Sequence, residues 1–407
     1  MRLALCILFW AFACTPLATF GQYSEPRSLS YFEHHLLARS PALETLRLQV
    51  DARFRGPTQV QWDNPMLDVM AAPGRWLSGT VDLDVTLRQA LPARGLLAAQ
   101  REERIAMAEA ERWMYANTVL QARADVRSAY MRVLGIQHDL AVLDSLLADL
   151  AFFQEIATSR FAAGRSSLAR TLQIPLETER IALEREALLE TLEEQWGALL
   201  RAAGLPPEPL HSVADTSFTA PRQAIPSFSH HPALRAADAE VRAREATIRM
   251  REAMRRIQTT AGLGVSFSAI QSGTWQMALK PSLGLMLPIR RTGIEAGVQE
   301  AVLQAASEET SRIATRQVLE TEWATLQAQR RSVAERLERL ETSLLPQLEE
   351  ALEATRLDFE RGEVSLLETL DLFRMQREAQ RARIQTYTRL QELHIRLLAL
   401  EPDPERP

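Results

Sequence analysis

The sequence predicts a mainly α-helical protein with a small β part, built from two copies of one helix, strand, strand and long helical hairpin. Three observations predict it. Glycine makes up only 16 of the 407 residues and aromatic side chains 6%, against an average glycine usage of about 7%, so a turn-rich sandwich or doubly wound sheet fits poorly. Apolar residues recur at heptad spacing through stretches almost free of glycine and proline. Short motifs recur in the same order: Ser40-Pro41-Ala42-Leu43 as His231-Pro232-Ala233-Leu234, Leu91-Pro92 as Leu287-Pro288, and Phe161-Ala162-Ala163-Gly164 as Phe359-Glu360-Arg361-Gly362, at offsets of 191, 196 and 198 residues. The match continues past each glycine, Ser167-Leu168 with Ser365-Leu366 and Thr171-Leu172 with Thr369-Leu370. Ordered repeats at near-constant offset indicate a duplication.

The elements follow in order. Residues 1–21 read as a secretory signal: Arg2 precedes an apolar run from Leu3 to Ala13, too short for the roughly 20 residues that span a bilayer. Cleavage is expected near Gly21/Gln22, and it removes both cysteines, Cys6 and Cys14, so the mature chain has neither disulfide nor thiolate ligand. Ala11-Phe12-Ala13-Cys14 offers lipidation of Cys14 as the alternative, although Ala11 stands where a leucine is usual. An N-terminal periplasmic helix is expected over 22–56, a first β-hairpin over 57–91, and a first long helical hairpin over 92–205. A linker at 206–230, with five prolines from Pro206 to Pro226, separates the copies. The second copy has an entry helix at 231–258, a β-hairpin at 259–287 and a helical hairpin at 288–401, before a tail at 402–407.

The strand assignments rest on period two. Val81, Leu83, Val85, Leu87 and Leu91 alternate with Asp82, Asp84, Thr86 and Arg88; Leu263, Val265, Phe267 and Ala269 alternate with Gly264, Ser266 and Ser268. The turn Gln271-Ser272-Gly273-Thr274 leads to a strand from Gln276 to Leu287, and a further strand falls between Val60 and Ala71, broken by Asn64-Pro65. Small polar residues alternating with aliphatic ones suit a sheet with one lipid face and one water face, and equally an ordinary half-buried hairpin. In lipid, four strands would leave two unpaired edges, which only closure resolves, and barrels begin at eight strands. Strands placed in a membrane would therefore have to come from several chains.

The helical hairpins rest on period seven. Ile136, Leu140, Leu143, Leu147 and Leu150 step by four and three in a helix running from Ala93 to Arg160, and about 65 residues of helix rise about 100 Å. Gly164 suits a left-handed helix end, and Ser166 or Ser167 starts the return to Ala203-Gly204. The second copy runs out from Arg291 to Glu360, with Leu337, Leu340 and Leu344 in its seam, turns at Gly362, and returns from Val364 to Leu400. Pro175 and Pro346 are expected to kink or bulge their helices.

The duplicated plan, the Ser-Pro-Ala-Leu and His-Pro-Ala-Leu openings, the Leu-Pro strand exits and the Phe-x-x-Gly turns followed by Ser-Leu resemble the outer-membrane factor family of TolC-like efflux ducts. The resemblance covers nearly all the chain after the signal. It implies a homotrimer in the outer membrane, with four strands per chain closing one shared β-barrel through the lipid and the long hairpins forming an α-barrel across the periplasm. It also implies a periplasmic adaptor and an inner-membrane pump as partners, with small molecules or metal cations as cargo. Asn64-Pro65-Met66-Leu67 is similar to the heavy-metal and cation branch. The family's periplasmic gate positions fall on Glu368 and Asp371, whose carboxylates would form rings about a threefold axis; the competing reading is that both are ordinary acids near a helix N-terminus. Arg170 stands at the equivalent position of the first hairpin, where many relatives carry an acid, and offers Glu368 a partner. The aromatic latch position holds Phe359, which lacks a hydroxyl. Gly164, Ser167, Leu168, Gly362, Ser365 and Leu366 form the hairpin tips that would dock the adaptor.

Residues for other chemistry are absent or poorly placed. The 47 basic and 52 acidic residues, formal net charge −5, form no basic patch for nucleic acid. Neighbouring histidines, as in His34-His35 and His230-His231, point about 100° apart on a helix, poor geometry for a shared metal. No nucleophile-elbow, zinc-protease, phosphate-loop or dinucleotide fingerprint occurs, so no catalytic, cofactor or metal site is expected. Asp82 and Asp84 share the polar side of their strand and are the pore-lining candidates. The rival architecture is a periplasmic adaptor or structural protein without a pore, which would carry a compact β-module between its hairpin arms.

Overall fold

The structure, a computed structural model, describes residues 26–74, 80–164, 167–218, 228–269, 274–287, 291–361 and 363–401. The signal segment with Cys6 and Cys14, the turn residues 271–273, Gly362, the tail and part of the linker lie outside the described residues, as do the side chains of Arg170 and Leu366. The chain divides into two compact units. One gathers the residues up to His35 with Val126–Ser217 and Leu340–Thr388; the other gathers Leu36–Asp125, Phe218–Arg339 and the residues from Arg389 onward.

The helices are α1 (Leu29–Arg39), α2 (Pro41–Phe54), α3 (Leu96–Ala162), α4 (Leu168–Thr171), α5 (Gln173–Ala203), α6 (Pro232–Ala253), α7 (Arg291–Arg339), α8 (Leu345–Arg361) and α9 (Leu366–Leu400). The single N-terminal helix expected over 22–56 is two helices. Ser40 precedes Pro41 and is extended (ψ 116°), because the proline ring disfavours helical backbone in the residue before it. At the matching place in the second copy, His231 precedes Pro232, and its Nδ1 accepts from the Ala233 N–H at 3.2 Å to start α6. The 67 residues of α3 match the predicted rod, and Gly204 ends α5 in the left-handed conformation (φ 68°).

In the first unit, α3, α5, α8 and α9 bury a common seam. Leu143, Leu146, Leu150, Phe153 and Ala157 meet Ile174 and Ile181 of α5, Phe359 of α8, and Leu370 and Phe373 of α9. Gly135 lets α3 and α9 approach closely, since a Cβ there would lie 2.6 Å from the Thr388 Oγ1. The start of the linker is pinned to this unit: Arg27 pairs with Val213, and the Tyr130 hydroxyl donates to the Ala214 carbonyl at 2.6 Å. The expected bulge at Pro346 takes the form of one π-helical turn, Leu340–Leu344, because proline donates no N–H back to the preceding turn. The extra residue rotates the seam and corrects the predicted set: Leu344 is 40% exposed, while Leu345 and Leu348 are buried against Ala379. Pro175 lies in the first turn of α5, where a missing donor is harmless, and the helix break falls before it at Leu172.

In the second unit, α6 presents Ala236, Ala239, Ala243 and Ala246 as a small-residue face, and Phe228, Leu234, Trp323, Leu326, Leu393 and Leu397 form a separate core. This unit also holds one antiparallel sheet, β1 (Met66–Gly74), β2 (Thr80–Leu91), β3 (Gln258–Ala269) and β4 (Trp275–Met286), in sequential order. The first strand begins after Pro65 and is not interrupted by it. The two repeats' hairpins thus join through β2 and β3 into a single sheet, not a compact module set between helical arms.

Candidate functional site

The register of the sheet sorts its side chains into two opposite faces. Leu67 opposes Leu87, which opposes Leu263; Val69, Val85, Val265 and Leu279 form the next row of that face, and Ala71, Leu83, Phe267 and Met277 another. Leu283, Leu285 and Trp275 extend it along β4. Nearly every position on this face is apolar; every strand exposes apolar side chains on it, among them Val69, Leu87, Leu263 and Leu283, the last at 72%, while Leu83 and Phe267 in the middle strands are half-buried. A soluble sheet with one such face would normally bury it.

The opposite face carries all the sheet's charged side chains and, in β3, mostly glycine, serine and threonine, with Met66, Met70 and Met286 as its exposed apolar side chains. Its rows are Asp68, Thr86, Gly264 and Lys280; Met70, Asp84, Ser266 and Ala278; and, from β2 to β4, Asp82, Ser268 and Gln276. Crowding explains the glycines: a Cβ at Gly264 would sit 2.5 Å from the Thr86 Oγ1, and one at Gly284 2.3 Å from the Thr260 Oγ1. Asp84 and Asp82 both stand on this face, as the alternation predicted. Among the described residues β1 and β4 each have one neighbour, so there both outer edges of the sheet carry unpaired backbone groups. The strands are 9 and 12 residues long, enough to cross a bilayer when tilted. Among the described residues no helix is long and apolar enough to do so.

In the other unit, the helical turns hold the remaining predicted residues. Gly164 ends α3 in the left-handed conformation (φ 70°), and the Ser167 carbonyl accepts from the Thr171 N–H at 3.2 Å to begin α4. Leu168 is exposed. In the second turn the Ser365 N–H donates to the Glu368 carboxylate at 3.1 Å, and the Glu368 N–H donates to the Ser365 Oγ at 3.3 Å. This is a reciprocal capping box, so Glu368 closes its own helix. Phe359 is buried, its ring centroid 5.5 Å from that of Phe153, which lies 5.0 Å from Phe373. The Arg160 guanidinium covers the Phe359 ring at 4.6 Å and donates to the Phe359 carbonyl.

Asp371 is exposed and pairs with Arg374 at 3.1 Å. The same arginine reaches across to α5 and binds Glu177 at 2.8 Å, and Arg180 binds Glu177 as well. Glu177 is 93% buried as a side chain, its exposure being 7%. Burial pushes its carboxyl up, but the hydrogen bonds and charges of Arg180 and Arg374 outweigh that and bring it down to about 2. Two helical turns further along α5, Glu184 binds Arg377 at 2.6 Å and Arg381 at 2.9 Å. Sequence reasoning missed Glu177. Its spacing to Arg180 was visible, but Arg374 stands 197 residues away.

No family model and no curated protein sequence matches the chain. Among solved structures it is similar to CusC, a protein that forms a transmembrane channel (TM-score 0.75, 16% identity, 96% of this chain and 95% of that one). It is also similar to the outer membrane protein VceC of Vibrio cholerae (0.74, 17%, 91% and 95%) and to the MtrE outer membrane channel of Neisseria gonorrhoeae (0.72, 18%, 91% and 88%). The similarity covers 91% or more of this chain and 88% or more of each of those. The chain therefore has the fold of these outer-membrane channel proteins.

Proposed function

We propose that this protein is the outer-membrane exit duct of a tripartite efflux system, a passive channel and not an enzyme. The observation that carries the reading is the amphipathic sheet with two open edges. An apolar face exposed on all four strands and unpaired edges on both sides are jointly satisfied when copies close one barrel in lipid, apolar side outward and polar side toward water. Three copies supply twelve strands. After removal of residues 1–21 by export, the barrel sits in the outer membrane and the helical hairpins in the periplasm. There they meet a periplasmic adaptor at the tips around Gly164, Ser167, Leu168, Gly362, Ser365 and Leu366. An inner-membrane pump delivers small molecules or metal cations, and the duct adds no chemistry of its own.

The periplasmic end is gated by the second hairpin. Asp371 presents an exposed carboxylate, held in place by an arginine that also ties α9 to α5 through Glu177. Glu368 adds charge nearly one helical turn away, as a second ring, while capping its helix, Phe359 anchors the turn through its aromatic contacts, and Arg170 supplies the basic counterpart on the first hairpin. Opening the end then means separating α9 from α5 and breaking the Glu177 to Arg374 link, work that adaptor docking would supply.

The test is fractionation and reconstitution. A heat-modifiable trimer in the outer membrane that conducts in planar bilayers is expected. Recovery as a carbonate-extractable soluble monomer would sink the duct reading. For the gate, Asp371→Asn with Glu368→Gln should raise the leak conductance or lower the cation preference; unchanged conductance and selectivity would remove both residues from it.

A further inference from the structure

The strands of the sheet carry five ionisable side chains on the polar face among the described residues: Asp68, Asp82, Asp84, Arg88 and Lys280. Four of them are paired. The Arg88 Nε lies 3.0 Å from Asp68, and the Lys280 Nζ lies 2.9 and 3.3 Å from the two carboxylate oxygens of Asp84. Asp82 has no ion-pair partner among the described residues. Three carboxylates against two cations leave one net negative charge on this face of each chain.

The Lys280 pair is built in an unusual way. Lys280 belongs to β4 and Asp84 to β2, so the side chain crosses the whole of β3 to reach its partner. The ladder places Gly264 directly opposite Lys280 and Thr86 opposite Gly264. The lysine stem therefore runs from a position beside a residue without a side chain, one where a Cβ would meet Thr86 at 2.5 Å. Lys280 is also the only lysine in the sequence; the other 46 of its 47 basic residues are arginines. A compact ammonium on a flexible stem suits the crowded ground over Gly264.

We infer that Lys280 sets the ion selectivity of the lumen lined by this face: it neutralises Asp84 and leaves Asp82 as the unbalanced fixed charge that favours cations. This deepens the duct reading and rests on it. Removing the ammonium takes each sheet from one net negative charge to two. Removing the Asp84 carboxylate takes it to zero. A unit charge about 10 Å from a permeating ion changes its local concentration by roughly twofold in a water-like medium, and at 0.01 M salt screening extends over about 30 Å. The effect is therefore read at low ionic strength.

The lone side-chain amine makes the test direct. The purified wild-type trimer is reconstituted in a planar bilayer under a dilute potassium chloride gradient, and the reversal potential is read before and after acetylation with an N-hydroxysuccinimide ester of acetate. Acetylation joins the Lys280 nitrogen to the acetyl carbon, expels N-hydroxysuccinimide and releases the ammonium proton. At least a roughly twofold rise in the cation-to-anion permeability ratio is expected. Lys280→Arg, which keeps the charge but offers no side-chain amine, should match the untreated wild type and ignore the reagent, excluding a contribution from the chain's terminal amine. Lys280→Gln should mimic acetylation, Asp84→Asn should shift selectivity toward anions, and the double variant should return close to wild type. A conducting channel whose selectivity is unmoved by acetylation and by Lys280→Gln overturns the inference and leaves the duct reading standing. Absence of any conductance, wild type included, overturns the duct reading and the inference together.

Discussion

The two helical turns come from one repeated motif, yet they hold their returning helices in different ways. In the second, Ser365 and Glu368 exchange hydrogen bonds, and α9 runs unbroken for 35 residues. In the first, the serine survives as Ser167, but Arg170 occupies the position of Glu368. Arginine has no acceptor to offer a backbone N–H, so the reciprocal box cannot form. The first return is split into α4, four residues long, and α5, which begins after the break at Leu172. What fastens α5 lies outside its own turn: Glu177, gripped by Arg180 and by Arg374 of α9. The two returns share an apolar seam, but the second also has a cap of its own, whereas the first takes its polar hold from Arg374 of the second.

The largest test of that asymmetry is Glu177→Ala. Removing one member of a buried ion cluster costs about 3–5 kcal/mol, but both arginines are nearly half exposed and keep water contact, so a loss of about 2–3 kcal/mol is expected. Hydrogen exchange followed by mass spectrometry should show faster exchange over 168–181 and unchanged protection over the start of α9. Equal loosening of both helices would refute the asymmetry. The pH dependence has a fixed sign. A carboxyl lowered from about 4.5 to about 2 contributes stability that is complete above the higher value and lost as pH falls toward the lower one. Wild type should therefore lose its advantage over Glu177→Ala between about pH 4.5 and pH 2 in thermal unfolding followed by circular dichroism.

Asp139 on α3 supplies the opposite sign in the same unit. Burial raises its carboxyl to about 6; Arg381 and His138 oppose the rise, and Glu184 adds to it. Between about pH 4 and pH 6 the folded protein binds this proton more tightly than the unfolded chain does, so stability falls as pH rises through that window. Asp139→Asn should remove the penalty and gain about 1–2 kcal/mol at neutral pH, after allowing for partial exposure. The gain should vanish below about pH 4. A gain independent of pH would point to packing and away from charge.

How much of this was legible in the sequence follows from the range of each interaction. The rod α3, the strands β2, β3 and β4 and both turns announce themselves through periods of seven and two and through glycine, because those signals lie within a few residues; β1 is the exception, since Asn64-Pro65 reads as a break within it and instead precedes it. The alternation of Asp82 and Asp84 with valines and leucines was enough to place both on the polar face. The shift of the α8 seam from Leu344 to Leu345 was not legible: Pro346 announced a disturbance, but whether it relaxes as a kink or as an added residue depends on packing against α9. Glu177 escaped because its partner is set by tertiary contact. The capping role of Glu368 was in plain view as Ser-x-x-Glu, and the family resemblance drew attention to its charge instead.

Glu368 permits charge and cap to be separated. Glutamine completes a capping box as glutamate does, whereas alanine cannot. Glu368→Ala should cost about 1 kcal/mol and raise exchange over 366–370, while Glu368→Gln should leave exchange unchanged. If Gln nevertheless alters the leak conductance, the carboxylate acts at the gate independently of its helix. If only Ala alters it, the gate effect is secondary to the cap.

The smallest expected effect is the most direct on the comparison itself. Arg170→Glu restores to the first turn the residue that its duplicate carries, three positions after Ser167. A completed box and an acid in the first helical turn should together stabilise the return by about 0.5–1 kcal/mol. The stronger consequence concerns dependence: with its own cap in place, the first return should no longer need Arg374 as much. Glu177→Ala should then raise exchange over 168–172 less in the Arg170→Glu background than in wild type, a coupling that a double-mutant cycle reads directly. Strict additivity would mean that the break at Leu172 is imposed by something other than the missing acceptor, and the difference between the two turns would have to be traced to Pro175 instead.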